Sequence, residues 1–201
     1  AQAVALAKDR VLYGTVSPDS LLIEPFKKWY VPNYTDYKPD AQTIVELKKI
    51  NFKDITVKIF LGTWCGDSKR EVPRFFKLMD TAGFNRKSIQ LIGLGSSDTS
   101  LYKKSPAGEE KGLGIFRVPV FIFYKNGKEI NRINEYPASS LEKDVLSILK
   151  GENYTPNYAS FAVINKWLYD GTLADDNSNA GGLANQLKTK VTGENELIPI
   201  R

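Results

Sequence analysis

Cys65 is the single cysteine among 201 residues, and the chain contains no histidine. A Ser-His-Asp or Cys-His catalytic arrangement and a histidine-built zinc site are therefore excluded within the chain. An internal disulfide and a multi-cysteine zinc or iron site are excluded too, so no metal and no cofactor is expected. Cys65 is then either an inert core thiol, since free cysteines bury readily, or a nucleophile whose thiolate attacks disulfides. Its surroundings favour the nucleophile, because Gly62-Thr63-Trp64-Cys65-Gly66-Asp67-Ser68 is too polar a turn for a core. The turn leads into a helical pattern, with Val72, Phe75, Phe76 and Met79 on one face. Unpaired N–H groups and the positive end of the helix dipole would favour an anion on the sulfur. Lys69, Arg70 and Arg74 act in the same direction, each weakly once salt screens it. Ser68, three residues on, is placed to donate a hydroxyl hydrogen bond to the sulfur.

The elements that must position this turn are legible on either side of it. Ile55–Leu61 is rich in β-branched residues, with Ile55, Val57, Ile59 and Leu61 alternating onto one side, and reads as a strand. Before it, Asp40 caps a helix running to about Ile50. Pro73 falls inside the helix after Cys65, and Gly83 ends it. A second strand covers 88–94, and 95–114 reads as loop with a helical turn or two. The apolar run 118–124 joins 129–133 through Lys125-Asn126-Gly127-Lys128, a strong hairpin signal. Ser139 and Glu142 form a capping box for a last helix that Gly151 closes. The first strands should be parallel and the hairpin antiparallel. Residues 1–12 read as a short helix, followed by a proline-punctuated aromatic wrap that includes Phe26, Trp29, Tyr30, Tyr34 and Tyr37. At the other end, Tyr154, Tyr158, Phe161, Trp167, Leu168 and Tyr169 are expected to dock on the domain. Residues 171–182 read as mobile and 183–191 as a short helix.

Composition sets the outer bounds. A hydrophobic fraction of 42% with 25% charged residues suits one compact domain with appendages. The net charge of +5 is scattered, with no basic stripe, so no nucleic-acid partner is expected. No apolar stretch reaches membrane-span length. The opening Ala1-Gln2-Ala3, without methionine, fits the far side of a signal-peptidase cut.

Trp64-Cys65-Gly66-Asp67-Ser68-Lys69 resembles the Trp-Cys-x-x-Cys turn of the thioredoxin superfamily. Pro73 stands where thioredoxins carry the proline that bends the active-site helix. The run Leu113-Gly114-Ile115-Phe116-Arg117-Val118-Pro119 and the following hairpin are similar to their cis-proline strand and Lys-Asn-Gly turn. The likeness spans residues 56–150 and implies an α/β fold, a thioredoxin-like three-layer α/β/α sandwich. The expected division is an N-terminal extension over 1–39, the domain over 40–151 and a partly mobile C-terminal extension over 152–201. By this resemblance Pro119 is a cis-proline beside the sulfur, and the Val118 backbone is free to pair with an extended substrate.

Two positions depart from the pattern. Ser68 stands for the second cysteine and Ile59 for the buried aspartate six residues before the first. A hydroxyl does not resolve a mixed disulfide, so release would need the client's own thiol or glutathione. The expected chemistry is thiol-disulfide exchange through Cys65 and Ser68, by mixed-disulfide formation, isomerisation or deglutathionylation. Trp64, Gly66, Asp67, Val118 and Pro119 are the candidate substrate-binding residues. Trp64 reads either as a contact surface or as core packing, and Asp67 as a residue of the first helical turn. Protein or glutathione thiols and disulfides are the partners. The alternative is a non-catalytic binding module using the Trp64/Pro119 groove. Cys-Gly-x-Ser also resembles monothiol glutaredoxins, but Trp64 is thioredoxin-like and Lys125-Asn126-Gly127-Lys128 replaces the glutathione grip. The wider sequence, including Phe26-Lys27-Lys28-Trp29-Tyr30, is similar to exported bacterial thioredoxin-like proteins, which implies a periplasmic or secreted location, with a cytoplasmic one as the alternative.

Overall fold

A computed structural model describes residues 11–96 and 102–159. The chain divides into two compact units, Ala1–Asn157 and Tyr158–Arg201, and the sheet with its helices belongs to the first. Of the helix expected over 1–12, residues 11 and 12 are described and are not helical; its remainder, the docking residues from Phe161 on, and the mobile and helical segments expected over 171–191 lie outside the described residues.

Alternating apolar residues build a mixed five-stranded sheet of order β1-β3-β2-β4-β5. The strands are β1 (Gly14–Val16), β2 (Ile55–Leu61), β3 (Ile89–Gly93), β4 (Val120–Lys125) and β5 (Lys128–Asn134). β2 and β3 are parallel, whereas β2–β4, β4–β5 and β1–β3 are antiparallel. Period-two alternation splits β2 between two apolar clusters. Val57, Ile59 and Leu61 face one side with Leu91, Phe121, Phe123 and Ile133. Phe60 faces the other with Ile92, Leu94, Val120 and Ile122. The helices α1 (Lys27–Asp36), α2 (Ala41–Leu47), α3 (Gly66–Ala82) and α4 (Leu141–Lys150) bury their apolar residues in the first cluster. The mixed α/β, thioredoxin-like class is thus the one expected, but the three-layer arrangement is not seen among the described residues, whose four helices all pack on the first cluster. The second cluster is covered, among the described residues, by Trp64, Leu113 and Ile115.

The hairpin signal is explained by backbone geometry. Asn126 and Gly127 both take positive φ, 53° and 76°, as a two-residue turn between right-twisted strands requires. Gly83 and Gly151 end α3 and α4 at φ 86° and 70°. The cap of α4 falls one residue later than expected. Ser140, not Ser139, accepts from the Lys143 N–H. Glu142 turns away from that box to accept from the Tyr37 hydroxyl.

The segment before residue 40 is more regular than a wrap. Residues 14–16 form β1 on β3, and residues 27–36 form α1 despite Pro32. Proline costs a helix one hydrogen bond and crowds the preceding turn. Here packing outweighs that cost. Phe26 and Tyr30 are buried, and Tyr30 stacks on Tyr34 at 5.9 Å and touches Phe76 at 6.3 Å. Tyr34 donates to Asp80 at 2.7 Å, and Arg86 pairs with that carboxylate, tying α1 to α3.

Asp40 caps α2 as expected. One carboxylate oxygen accepts from both the hydroxyl and the backbone N–H of Thr43, each at 2.7 Å. Those bonds, the hydroxyl first, hold the Asp40 carboxyl below its ordinary 3.8. A carboxyl depressed on folding contributes stability that is complete above its unfolded value and disappears as pH falls through the folded one. Between about pH 5 and about pH 2, the melting temperature of Asp40→Asn should therefore fall less steeply than that of the parent chain. Parallel slopes in calorimetric scans would remove Asp40 from the acid response.

Candidate functional site

β2 ends at Leu61 and α3 begins at Gly66, so the residues between form a turn at the carboxyl end of a central strand. Ligand sites of open α/β sheets gather at that end. Cys65 is the N-cap of α3, extended at φ −85°, ψ 130°. Its carbonyl accepts the first intrahelical bond, from the Lys69 N–H at 3.1 Å. The Cys65 N–H donates to the Gly62 carbonyl at 2.9 Å, closing the turn. Cys65 is half-buried against the second apolar cluster, and its thiol donates to the Val118 carbonyl oxygen at 3.3 Å.

That contact unites two segments 53 residues apart in sequence. The Val118–Pro119 peptide bond is cis, and both residues are buried at the entry to β4. The Val118 N–H is not engaged by any described residue. A main-chain N–H that no described residue takes, two residues ahead of β4 and close to Cys65, is a place where an extended chain can add one hydrogen bond.

Ser68 does not contact the sulfur, contrary to expectation. It is fully buried, and its hydroxyl oxygen accepts from the Gly62 N–H at 3.2 Å. The reason is geometric: α3 folds back over the end of β2, which brings the buried Gly62 donor within reach of the hydroxyl. Ser68 thus braces the turn, and the described partner of the Cys65 thiol is Val118. Asp67 pairs with Arg70 at 2.6 Å, and Arg70 reaches the buried Glu71 at 2.6 Å. The Glu71 hydrogen bond, opposed by burial and joined by Asp67, holds the Arg70 guanidinium still more firmly charged than usual. Asp67 is therefore part of an ion-pair chain along the first turns of α3, in keeping with its reading as a residue of the first helical turn. Gly66 has nothing within 4 Å of the direction a side chain would take, so open space lies beside the sulfur there.

Trp64 is half-buried. Its indole N–H donates to the Leu94 carbonyl at 3.1 Å, its ring rests on the second apolar cluster, and Tyr102 tilts against it at 5.5 Å. Tyr102 is 37% exposed and extends the aromatic surface beside the sulfur. Lys103 lies 5.0 Å from the Tyr102 ring centre and donates to the Phe116 carbonyl at 2.7 Å, fixing this loop to the cis-proline segment.

Three contributors escape sequence reasoning. Gly62 must lack a side chain, because a Cβ there would lie 2.5 Å from the Trp64 ring. Thr63 is 5% exposed and its hydroxyl oxygen accepts from the Leu12 N–H at 3.3 Å. Tyr102 lies in a stretch that reads as ordinary loop. None has a local signal, since each acts through a partner at least 30 positions away or through the shape of a neighbouring ring. Ile59, at the position of the missing aspartate, is fully buried among apolar side chains. Among the described residues no helix is long and apolar enough to cross a membrane.

The site thus holds a half-buried cysteine at a helix start, a cis-proline across from it and an aromatic flank. No protein-family model matches the chain, and no solved structure does. The chain is similar to the thioredoxin of Malassezia sympodialis, with 31% identity over 98 residues. The aligned segment is 48% of this chain and 85% of that protein. With nearly the whole length of that relative matched, and with a five-stranded α/β frame setting the sulfur at the end of its central strand, the chain belongs to the thioredoxin superfamily.

Proposed function

We propose that the chain carries out thiol-disulfide exchange through Cys65 alone. The observation that carries this reading is the sulfur at the start of α3, 3.3 Å from the Val118 oxygen, with Ser68 buried under the turn and engaged by Gly62. The thioredoxin relative supports the redox class in general. The Cys65 thiolate attacks one sulfur of a client disulfide. A Cys65–client S–S bond forms, the client S–S bond breaks, and the departing sulfur leaves as a thiolate that takes a proton. A second thiol, from the client or from glutathione, then attacks the mixed disulfide and restores the Cys65 thiolate. Within one client this reshuffles disulfides with no net electron transfer. With a glutathionylated client, the client thiol is freed, and glutathione then lifts the glutathionyl group from Cys65 as glutathione disulfide. Pro119, Val118, Trp64 and Gly66 border the space an extended client would occupy, and Asp67 serves the helix start. We also propose an extracytoplasmic address, supported by the likeness of the Phe26–Tyr30 and Trp64–Phe75 stretches to exported bacterial proteins.

A second reading, a binding module that uses the same Trp64/Pro119 surface without turnover, is favoured by the way Ser68 is committed to the turn. One experiment separates the two. The full chain is incubated with glutathione disulfide and followed by intact mass. Exchange predicts one glutathione on Cys65, removed by reduced glutathione, and none in Cys65→Ala. A folded chain in which Cys65 stays unmodified at neutral pH would leave only the binding module.

A further inference from the structure

We propose that Thr63 is a positioning residue for Cys65, holding the turn ahead of the sulfur to the incoming N-terminal chain through the Leu12 main chain. The inference rests on the thiol-exchange reading of Cys65. Each residue between β2 and α3 is held by at least one hydrogen bond. Gly62 donates to Ser68, Trp64 donates to Leu94, and Cys65 donates back to Gly62. Leu94 is itself held to the end of β2, its N–H donating to the Leu61 carbonyl at 2.8 Å. Thr63 is the remaining member, and its partner comes from outside the sheet centre: the Leu12 N–H reaches its hydroxyl oxygen at 3.3 Å, in a buried setting. A buried donor with one acceptor in reach is a constraint, since losing the acceptor leaves the donor unsatisfied.

The crossing that brings Leu12 there has its own requirement. β1 pairs with β3 so that Gly14 lies opposite Gly93, and the chain just before β1 passes directly over Gly93. A Cβ on Gly93 would lie 2.2 Å from the Leu12 carbonyl oxygen and 2.5 Å from its carbon. Both are backbone atoms, so the chain would have to lift, taking the Leu12 N–H from Thr63. Gly93 and Thr63 thus act on one tie, the Leu12 main chain. Exchange at sulfur depends on placing the nucleophile, and small displacements of a reacting group carry large rate penalties.

The test compares the full chain with Thr63→Val, Thr63→Ser and Gly93→Ala, each held well below its unfolding midpoint. The readouts are the second-order rate of Cys65 with glutathione disulfide and, separately, its alkylation by iodoacetamide. Thr63→Val keeps the shape and removes the acceptor; both it and Gly93→Ala should slow glutathione exchange by about five- to tenfold. Thr63→Ser should stay within about twofold of the parent, because it keeps the hydroxyl. A folded Thr63→Val that exchanges at the parent rate, or a Thr63→Ser as slow as Thr63→Val, overturns the proposal. Should Thr63→Val not fold, Gly93→Ala decides alone. If the parent chain does not exchange at all, the thiol-exchange reading fails, while the alkylation rates still report whether the tie places Cys65.

Discussion

Replacing Ser68 by cysteine should turn a one-step thiol into a two-step one. In the parent chain, attack of Cys65 on an aromatic disulfide such as dithiobis(nitrobenzoate) releases one coloured thiolate and leaves the other half bound, since no second sulfur able to resolve it is present in the chain. In Ser68→Cys a thiol stands three residues after Cys65, in the first turn of α3. Its thiolate attacks the Cys65 sulfur, the bond to the bound half breaks, and a second coloured thiolate leaves as the 65–68 disulfide forms. Two equivalents are expected against one, with the adduct lifetime falling from hours to seconds or minutes. The substitution is not free. Ser68 is fully buried and accepts from Gly62, and a sulfur accepts weakly, so about 1 kcal/mol of stability should be lost. A single equivalent from a folded Ser68→Cys would mean that position 68 faces away from the sulfur, and the comparison with dithiol relatives would lose its geometric basis.

How far the site is legible from the sequence depends on whether its parts are local. α3 is legible because Val72, Phe75, Phe76 and Met79 repeat with the helix, and all four are buried. The hairpin is legible because Asn126 and Gly127 accept positive φ and few other pairs do. Cys65 at the start of α3 follows from the switch of period between β2 and α3. α1 is hidden because Pro32 argues against a helix, while the burial of Phe26 and Tyr30, which overrides it, depends on Phe76 some 46 residues beyond Tyr30. β1 is three residues long and carries no periodicity of its own; it exists because β3 offers an edge. The two hydroxyls are obscure for a related reason. Sequence proximity pairs Ser68 with the sulfur, but the fold presents it with the Gly62 N–H, and Thr63 gains meaning only once the N-terminal chain arrives above it.

The second large effect is expected at Phe75, where α3 is clamped to β4. Phe75 is fully buried, its ring stacked on Phe121 at 4.6 Å and set edge-on to Phe123 at 5.9 Å. Phe121 lies two residues beyond Pro119, so this stack joins the helix that Cys65 caps to the strand that the Val118–Pro119 segment enters. Phe75→Ala removes a ring from a close-packed core and leaves a cavity that β4, paired on both sides, is poorly able to close. The cost should be about 3–5 kcal/mol, a large part of the 5–15 kcal/mol typical of a domain. At this chain length it corresponds to a fall of roughly 6–20 °C in Tm. Phe75→Leu, which refills most of the volume, should lose less than half as much. The exchange rate supplies the functional half of the test. If the stack sets the Cys65–Val118 spacing, folded Phe75→Ala should exchange with glutathione disulfide more slowly than Phe75→Leu. Urea unfolding that shows Phe75→Ala within about 1.5 kcal/mol of the parent would instead place the clamp elsewhere along α3.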